Sequence, residues 1–253
     1  MKKIHLLTLL SAYLVFTGCG DKSSSNFPME KKYWTPDDYE TVNEELTALK
    51  YNDKELPNLE NPKTAAIFQK IADTTNFSIV ANDNQLGLQH RKEFLSKLFD
   101  QYRRLVDAYS GTDRTDKYQY PFELVEIEKF GLAFQIYYIG IGNQEILKTA
   151  DNAAAPEVVD IVSKNKNILI GNYNLYLEFA NYEDRFDEKS LTSYSQGLHD
   201  FFPRLINEVV PDGNYSEMAT KVDNMLKKSK NALVTAQLQN VQNLLKSKTA
   251  TSK

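Results

Sequence analysis

A single cysteine, Cys19, stands in the 253 residues, so no disulfide can form within the chain. Histidine is nearly as scarce, with three. No two of them are four residues apart, and no Glu-x-x-His occurs, so the helical zinc-protease and di-iron signatures are missing. His199 and Asp200 are adjacent, but neighbours on a helix point about 100° apart and do not orient each other. No Gly-rich phosphate loop follows a strand, and no Gly-x-Ser-x-Gly elbow exists. Long apolar runs are missing too. The first, "IHLLTLLSAYLVF" at 4–16, falls short of the roughly 20 residues of a membrane span.

That run follows Met1-Lys2-Lys3 and precedes small residues, the layout of a secretory signal. The small residues are Thr17 and Gly18, immediately before Cys19. "FTGC" resembles the lipobox of bacterial lipoprotein precursors, whose usual form is Leu, a small residue, Gly or Ala, then Cys; Phe16 departs from the Leu. The resemblance covers residues 1 to about 22. It implies that residues 1–18 are cut off, that the Cys19 thiol is joined to a diacylglycerol, and that the new amino terminus is acylated, with palmitate the expected chain. A thiol so used is no nucleophile. Several acyl chains on one residue hold a protein to a bilayer better than one does. Gly20, rather than Asp, follows the cysteine, which implies the outer membrane. The Ser-rich, aperiodic stretch 19–33 reads as a flexible tether.

Loss of Lys2 and Lys3 moves the formal charge from −4 to −6. Residues 217–253 hold seven lysines against Glu217 and Asp223, which leaves the rest of the mature chain near −11. An acidic body disfavours nucleic acid as a partner.

Proline punctuates the rest. Thr35, Pro36 and Asp38 form a capping box, with Trp34 and Tyr39 as a hydrophobic staple. Asn61 and Pro62 repeat the device. "NFSIVAND" at 76–83 reads as a loop. Leu88 to Tyr109 is apolar at helical spacing, with Gly111 closing the run. From Pro121 a helix carries residues 130–142 that are apolar nearly all round, as in a segment buried on most sides. Further helices follow from Pro156 to Asp184 and from Asp187 to Val210, the latter kinked at Pro203. A last one runs from Ser216 to Leu245, roughly 45 Å long at 1.5 Å per residue. Six or seven amphipathic helices and no convincing strand predict an irregular all-α bundle, one domain over 34–246 with a disordered tail at 247–253.

Two patterns point towards a site. Tyr173, Tyr176, Phe179 and Tyr182 recur every three residues. Each step turns the helix by about −60°, so the four rings wind round it and cannot all fill one core stripe; they are the candidate binding groove. Gly131, Gly140, Gly142, Gly171 and Gly197 each cost a helix about 1 kcal/mol and predict a tight crossing. Glu123 and Glu126 read as a solvated acidic stripe. No metal or cofactor is expected. The leading reading is a lipid-anchored envelope protein, non-enzymatic, that binds a partner protein or peptide. One alternative is an immunity-type lipoprotein whose acidic body neutralises a basic envelope toxin. The other is an envelope hydrolase using the tyrosine groove with Glu178 and Asp184.

Overall fold

The computed structural model describes residues 26–110 and 118–251. Cys19, the signal segment, most of the tether and Gly111 lie outside the described residues. The fold is all-α: three quarters of the chain is helical, and no strand occurs among the described residues. In chain order the helices are α1 (Pro36–Tyr51), α2 (Ala65–Ile71), α3 (Thr75–Ala81), α4 (Leu88–Ser110), α5 (Pro121–Thr149) and α6 (Pro156–Leu177). A 3-10 segment (Glu178–Arg185), α7 (Glu188–Arg204), a π-helical turn (Leu205–Val209), α8 (Ser216–Leu226) and α9 (Ala232–Thr251) complete it.

The start of α1 follows from its sequence. Thr35 Oγ1 accepts from Asp38 N–H, and Asp38 in turn accepts from Thr35 N–H at 2.8 Å. Trp34 meets Tyr39 edge-on at 5.6 Å and donates Nε1–H to Pro28 O, so the one tryptophan clamps the chain onto the body. Phe27 is buried, and Lys31 pairs with Asp38. The end of the expected tether therefore belongs to the packed body.

α5 is the axis of the molecule. Leu124, Ile127, Phe130, Phe134 and Ile141 join a core built with α1 to α4. Val125, Leu132 and Ile136 join a second core built with α6 to α9. A helix that serves two cores has no single apolar stripe, which explains the all-round apolarity of 130–142.

Several expected boundaries move, each for a local reason. Residues 75–81 are helical, not a loop: the Asp73 carboxylate accepts from Thr75 N–H and Oγ–H at its start, and Phe77 packs on Phe130, Phe134 and Tyr137. Asn61 closes a turn by accepting from Lys63 N–H, and α2 begins only at Ala65. The helix from Pro156 ends at Leu177 and tightens into the 3-10 segment, broken by Tyr182 at φ −125°, ψ 30°. Pro203 sits inside α7, and its disturbance is taken up two residues later as the π turn. The long last helix is two. Glu183 accepts from Lys230 N–H at 2.9 Å, from Asn231 N–H at 3.2 Å and from the Ser229 hydroxyl. Asn231 Oδ1 then accepts from Leu233 and Val234 N–H, which starts α9 afresh. α9 continues to Thr251, into the stretch read as a tail.

The glycines separate into two kinds. A Cβ on Gly131 would overlap the Tyr102 phenol, and one on Gly197 would overlap the Tyr176 hydroxyl. At Gly140, Gly142 and Gly171 a Cβ would meet nothing within 4 Å. The predicted tight contact thus holds at two positions, where a ring rather than a second backbone fills the space.

Candidate functional site

α1 and α4 run in the same direction: Asn43 bonds to Gln101 and Lys50 to the Asp107 and Ala108 carbonyls. α5 runs back between the two cores. Their shared end is a cleft of about 1170 Å³. One wall is the chain after α1, residues 53–60. The floor is Tyr118 to Glu123, leading into α5. The far wall is Arg185, Phe186 and Asp187, between the 3-10 segment and α7. Ser110 and Ala108, at the end of α4, also line it.

Much of the charge in the cleft is already spent on structure. Glu123 is 4% exposed and accepts from Leu59 N–H at 2.9 Å. This replaces the expected solvated stripe at that position: the carboxylate ties the residue 53–60 wall to α5. Glu55 holds Asn58 and Asn61 at 2.8 Å. Asp187 caps α7 through Ser190 N–H. Asp53, Lys54 and Glu60 line the cleft and are exposed. The aromatic groups are Tyr118, Tyr120, Phe122 and Phe186. Tyr118 packs on Phe186 at 5.1 Å, Tyr120 meets Tyr109 edge-on at 5.8 Å, and Lys189 Nζ lies 4.0 Å above Phe122. The three floor rings are half-buried; Tyr118 and Tyr120 rest on buried rings, whereas a face of Phe122 is covered by the exposed Lys189.

The four rings singled out in the sequence do not share one surface. Tyr173 and Tyr176 lie in the core, 0 and 2% exposed. Tyr173 donates to Leu132 O and Tyr176 to Tyr194 O. Burial pushes both phenols up, so they stay protonated donors. Phe179 is half-buried and touches both cores. Tyr182 is 39% exposed, with the Arg185 guanidinium 4.7 Å above its ring. A chain of ring contacts runs outward, Tyr176 to Phe179 at 5.7 Å, Phe179 to Phe186 at 5.3 Å, and Phe186 to Tyr118. The aromatic helix thus supports the cleft wall from behind, and Tyr182 borders it through Arg185. The cleft rings themselves were missed by helical periodicity. Their signal was "YQYPF", three aromatics on alternate residues in a segment with no core stripe to fill.

The groups named for a hydrolase are spread out. Glu178 pairs with Lys221 at 2.5 Å, and Asp184 is exposed. His90 and His199 are also exposed. Among the described residues no cluster of His, Cys, Asp or Glu has the spacing to hold a metal ion, and no helix is long and apolar enough to cross a membrane.

A polar seam joins α5 to its neighbours above the cleft. Glu126 accepts from Lys129 at 2.9 Å and from the Ser193 hydroxyl on α7. Glu128 accepts from Tyr102 of α4 at 2.7 Å. Burial pushes the Glu128 carboxyl up, and the Tyr102 hydrogen bond only partly opposes this. A carboxyl raised in the folded state costs no stability while protonated. The cost appears as pH rises past the ordinary value of 4.5 and is complete above the folded value. Glu128→Gln keeps an acceptor for Tyr102 without the charge. It is expected to be more stable than the parent at pH 7.5 and to converge with it at pH 4, read as urea midpoints at constant slope. A parent that is the more stable of the two at pH 7.5 contradicts this assignment.

The chain matches no protein-family model, no curated protein and no solved structure.

Proposed function

We propose that this chain is a lipid-anchored cell-envelope protein, held to the outer membrane through Cys19, whose helical body is a non-enzymatic binding module. Its ligand is an extended segment of a partner protein or peptide, seated in the cleft between the two cores. One observation carries this reading: the floor rings Tyr118 and Tyr120 each pack on a buried ring yet are only half-buried, with half-buried Phe122 beside them. Rigid aromatic anchors lose little entropy on binding and dominate protein interfaces. The exposed Asp53, Lys54 and Glu60 form a polar rim of both signs, as interfaces commonly have. "FTGC" and the polar stretch after it support the anchor.

A photo-crosslinking residue placed at Phe122 in the full-length chain, in native membranes, tests the cleft. Position 122 is expected to give a discrete adduct with a partner that position 233 does not give; Leu233 is 49% exposed on α9, away from the cleft lining. No adduct at 122, or the same adducts at both positions, removes the reading.

A further inference from the structure

Arg185 is the one arginine in the cleft lining. It is half-buried, and its guanidinium lies 4.7 Å above the Tyr182 ring. The N–H donors of a guanidinium lie in its plane, so a ring against its face leaves them free. No carboxylate of the body takes them. Every ion pair among the described residues is made by a lysine, and the acids nearest in sequence are committed elsewhere. Glu183 accepts from Ser229, Lys230 and Asn231. Asp187 accepts from the backbone and hydroxyl of Ser190. Asp184 is exposed. A chain with 34 acids against 30 lysines and arginines thus keeps a braced, half-desolvated cation on the wall of an open cleft. Part of its hydration is lost, and nothing in the body replaces it.

We infer that Arg185 sets the specificity of the cleft by receiving the side-chain carboxylate of an Asp or Glu in the partner segment. The inference deepens the peptide reading given above and rests on it. The planar fork matches a carboxylate with two parallel hydrogen bonds. Tyr118, packed on Phe186 at 5.1 Å, offers an apolar surface beside that pair, so the ligand's acid stands next to an apolar residue. On the opposite wall Asp53 and Glu60 are two exposed acids against Lys54. They repel an acid there and give the segment one lateral orientation.

The carboxylate comes from a side chain and not from a chain end. Capture of a terminal carboxylate uses free backbone N–H groups, and those of the cleft walls are taken. Phe186 N–H donates to Glu183 O. Leu56 N–H donates to the Tyr120 hydroxyl, Leu59 N–H to Glu123 and Glu60 N–H to Asn58 Oδ1.

The test uses the full-length chain in detergent micelles and, as probe, a displayed library of random peptides held between flanking sequences. Peptides selected by the parent are expected to share an Asp or Glu at one position, next to an apolar residue. One of them is then made with that acid and with the matching amide, and both are titrated. The parent should bind the acidic form about ten- to a hundredfold more tightly, the range of a hydrogen bond to a charged group. Arg185→Gln should bind the two forms alike. Arg185→Lys keeps the charge without the fork and should show a reduced preference; it decides the matter if Arg185→Gln lacks the parent's cooperative urea transition. Selected peptides with no common acid, or a preference that survives undiminished in the deciding variant, overturn the inference and leave the peptide cleft standing. A library that yields no peptide also overturns it, and the adduct at position 122 then decides whether the cleft reading falls too.

Discussion

Tyr176→Ala is expected to lose about 3–5 kcal/mol of stability, the usual cost of deleting a large buried aromatic. Tyr182→Ala is expected to lose less than about 1 kcal/mol, as exposed positions do. The two rings sit six residues apart and looked alike in the sequence. Tyr176 is 2% exposed, packs on Phe179, Tyr194 and Phe202, and donates to Tyr194 O. Its removal opens a cavity where α6 meets α7 and takes away the first ring of the series that backs the cleft. Tyr182 is 39% exposed, and its ring meets the Arg185 guanidinium, a contact worth about 0.5–1 kcal/mol at an exposed site. Urea midpoints at constant slope give both values. Equal losses would show that Tyr182 is core as well.

Gly197→Ala is expected to cost about 3 kcal/mol, at the upper end for one added methyl group. The new Cβ overlaps the Tyr176 hydroxyl. That hydroxyl belongs to a ring with no room to swing and a hydrogen bond to keep. Tyr176→Phe alone should cost about 1 kcal/mol for the lost bond. With the hydroxyl gone, the added Cβ has less to displace, so the double variant should lose at least 1 kcal/mol less than the sum of the singles. Strict additivity would mean that the contact is not what holds position 197 to glycine. A plain helix-propensity effect, about 1 kcal/mol in favour of Ala, has the opposite sign and makes the measurement decisive.

The all-α class was legible because helical spacing and caps are local. Thr35, Pro36, Asp38, Trp34 and Tyr39 announce α1, and every one of those contacts forms. What stayed hidden depends on partners distant in sequence. Nothing in "KSKNA" breaks a helix as strongly as proline does. The break between α8 and α9 needs Glu183, more than forty residues earlier, to accept from Lys230 and Asn231. Residues 75–81 carry β-branched Ile79 and Val80 and fold as a helix because Phe77 finds Phe130 and Phe134. The candidate site was half visible. Tyr173 and Tyr176 both face the core, and Tyr182 leaves it where the helix has already ended at Leu177. Which rings face inward depends on how α6 and the 3-10 segment lie against α5 and α7, and helical phase alone does not carry that. The cleft rings Tyr118 and Tyr120 precede α5 and Phe122 lies in its first turn, where periodicity has no purchase.

The mass of the mature amino terminus, from protein extracted from its native membrane, bears most directly on the proposed function. The account predicts a chain that begins at Cys19 and carries a diacylglyceryl thioether, with an acylated terminal amine. A chain that begins elsewhere, or a Cys19 with an unmodified thiol, contradicts it.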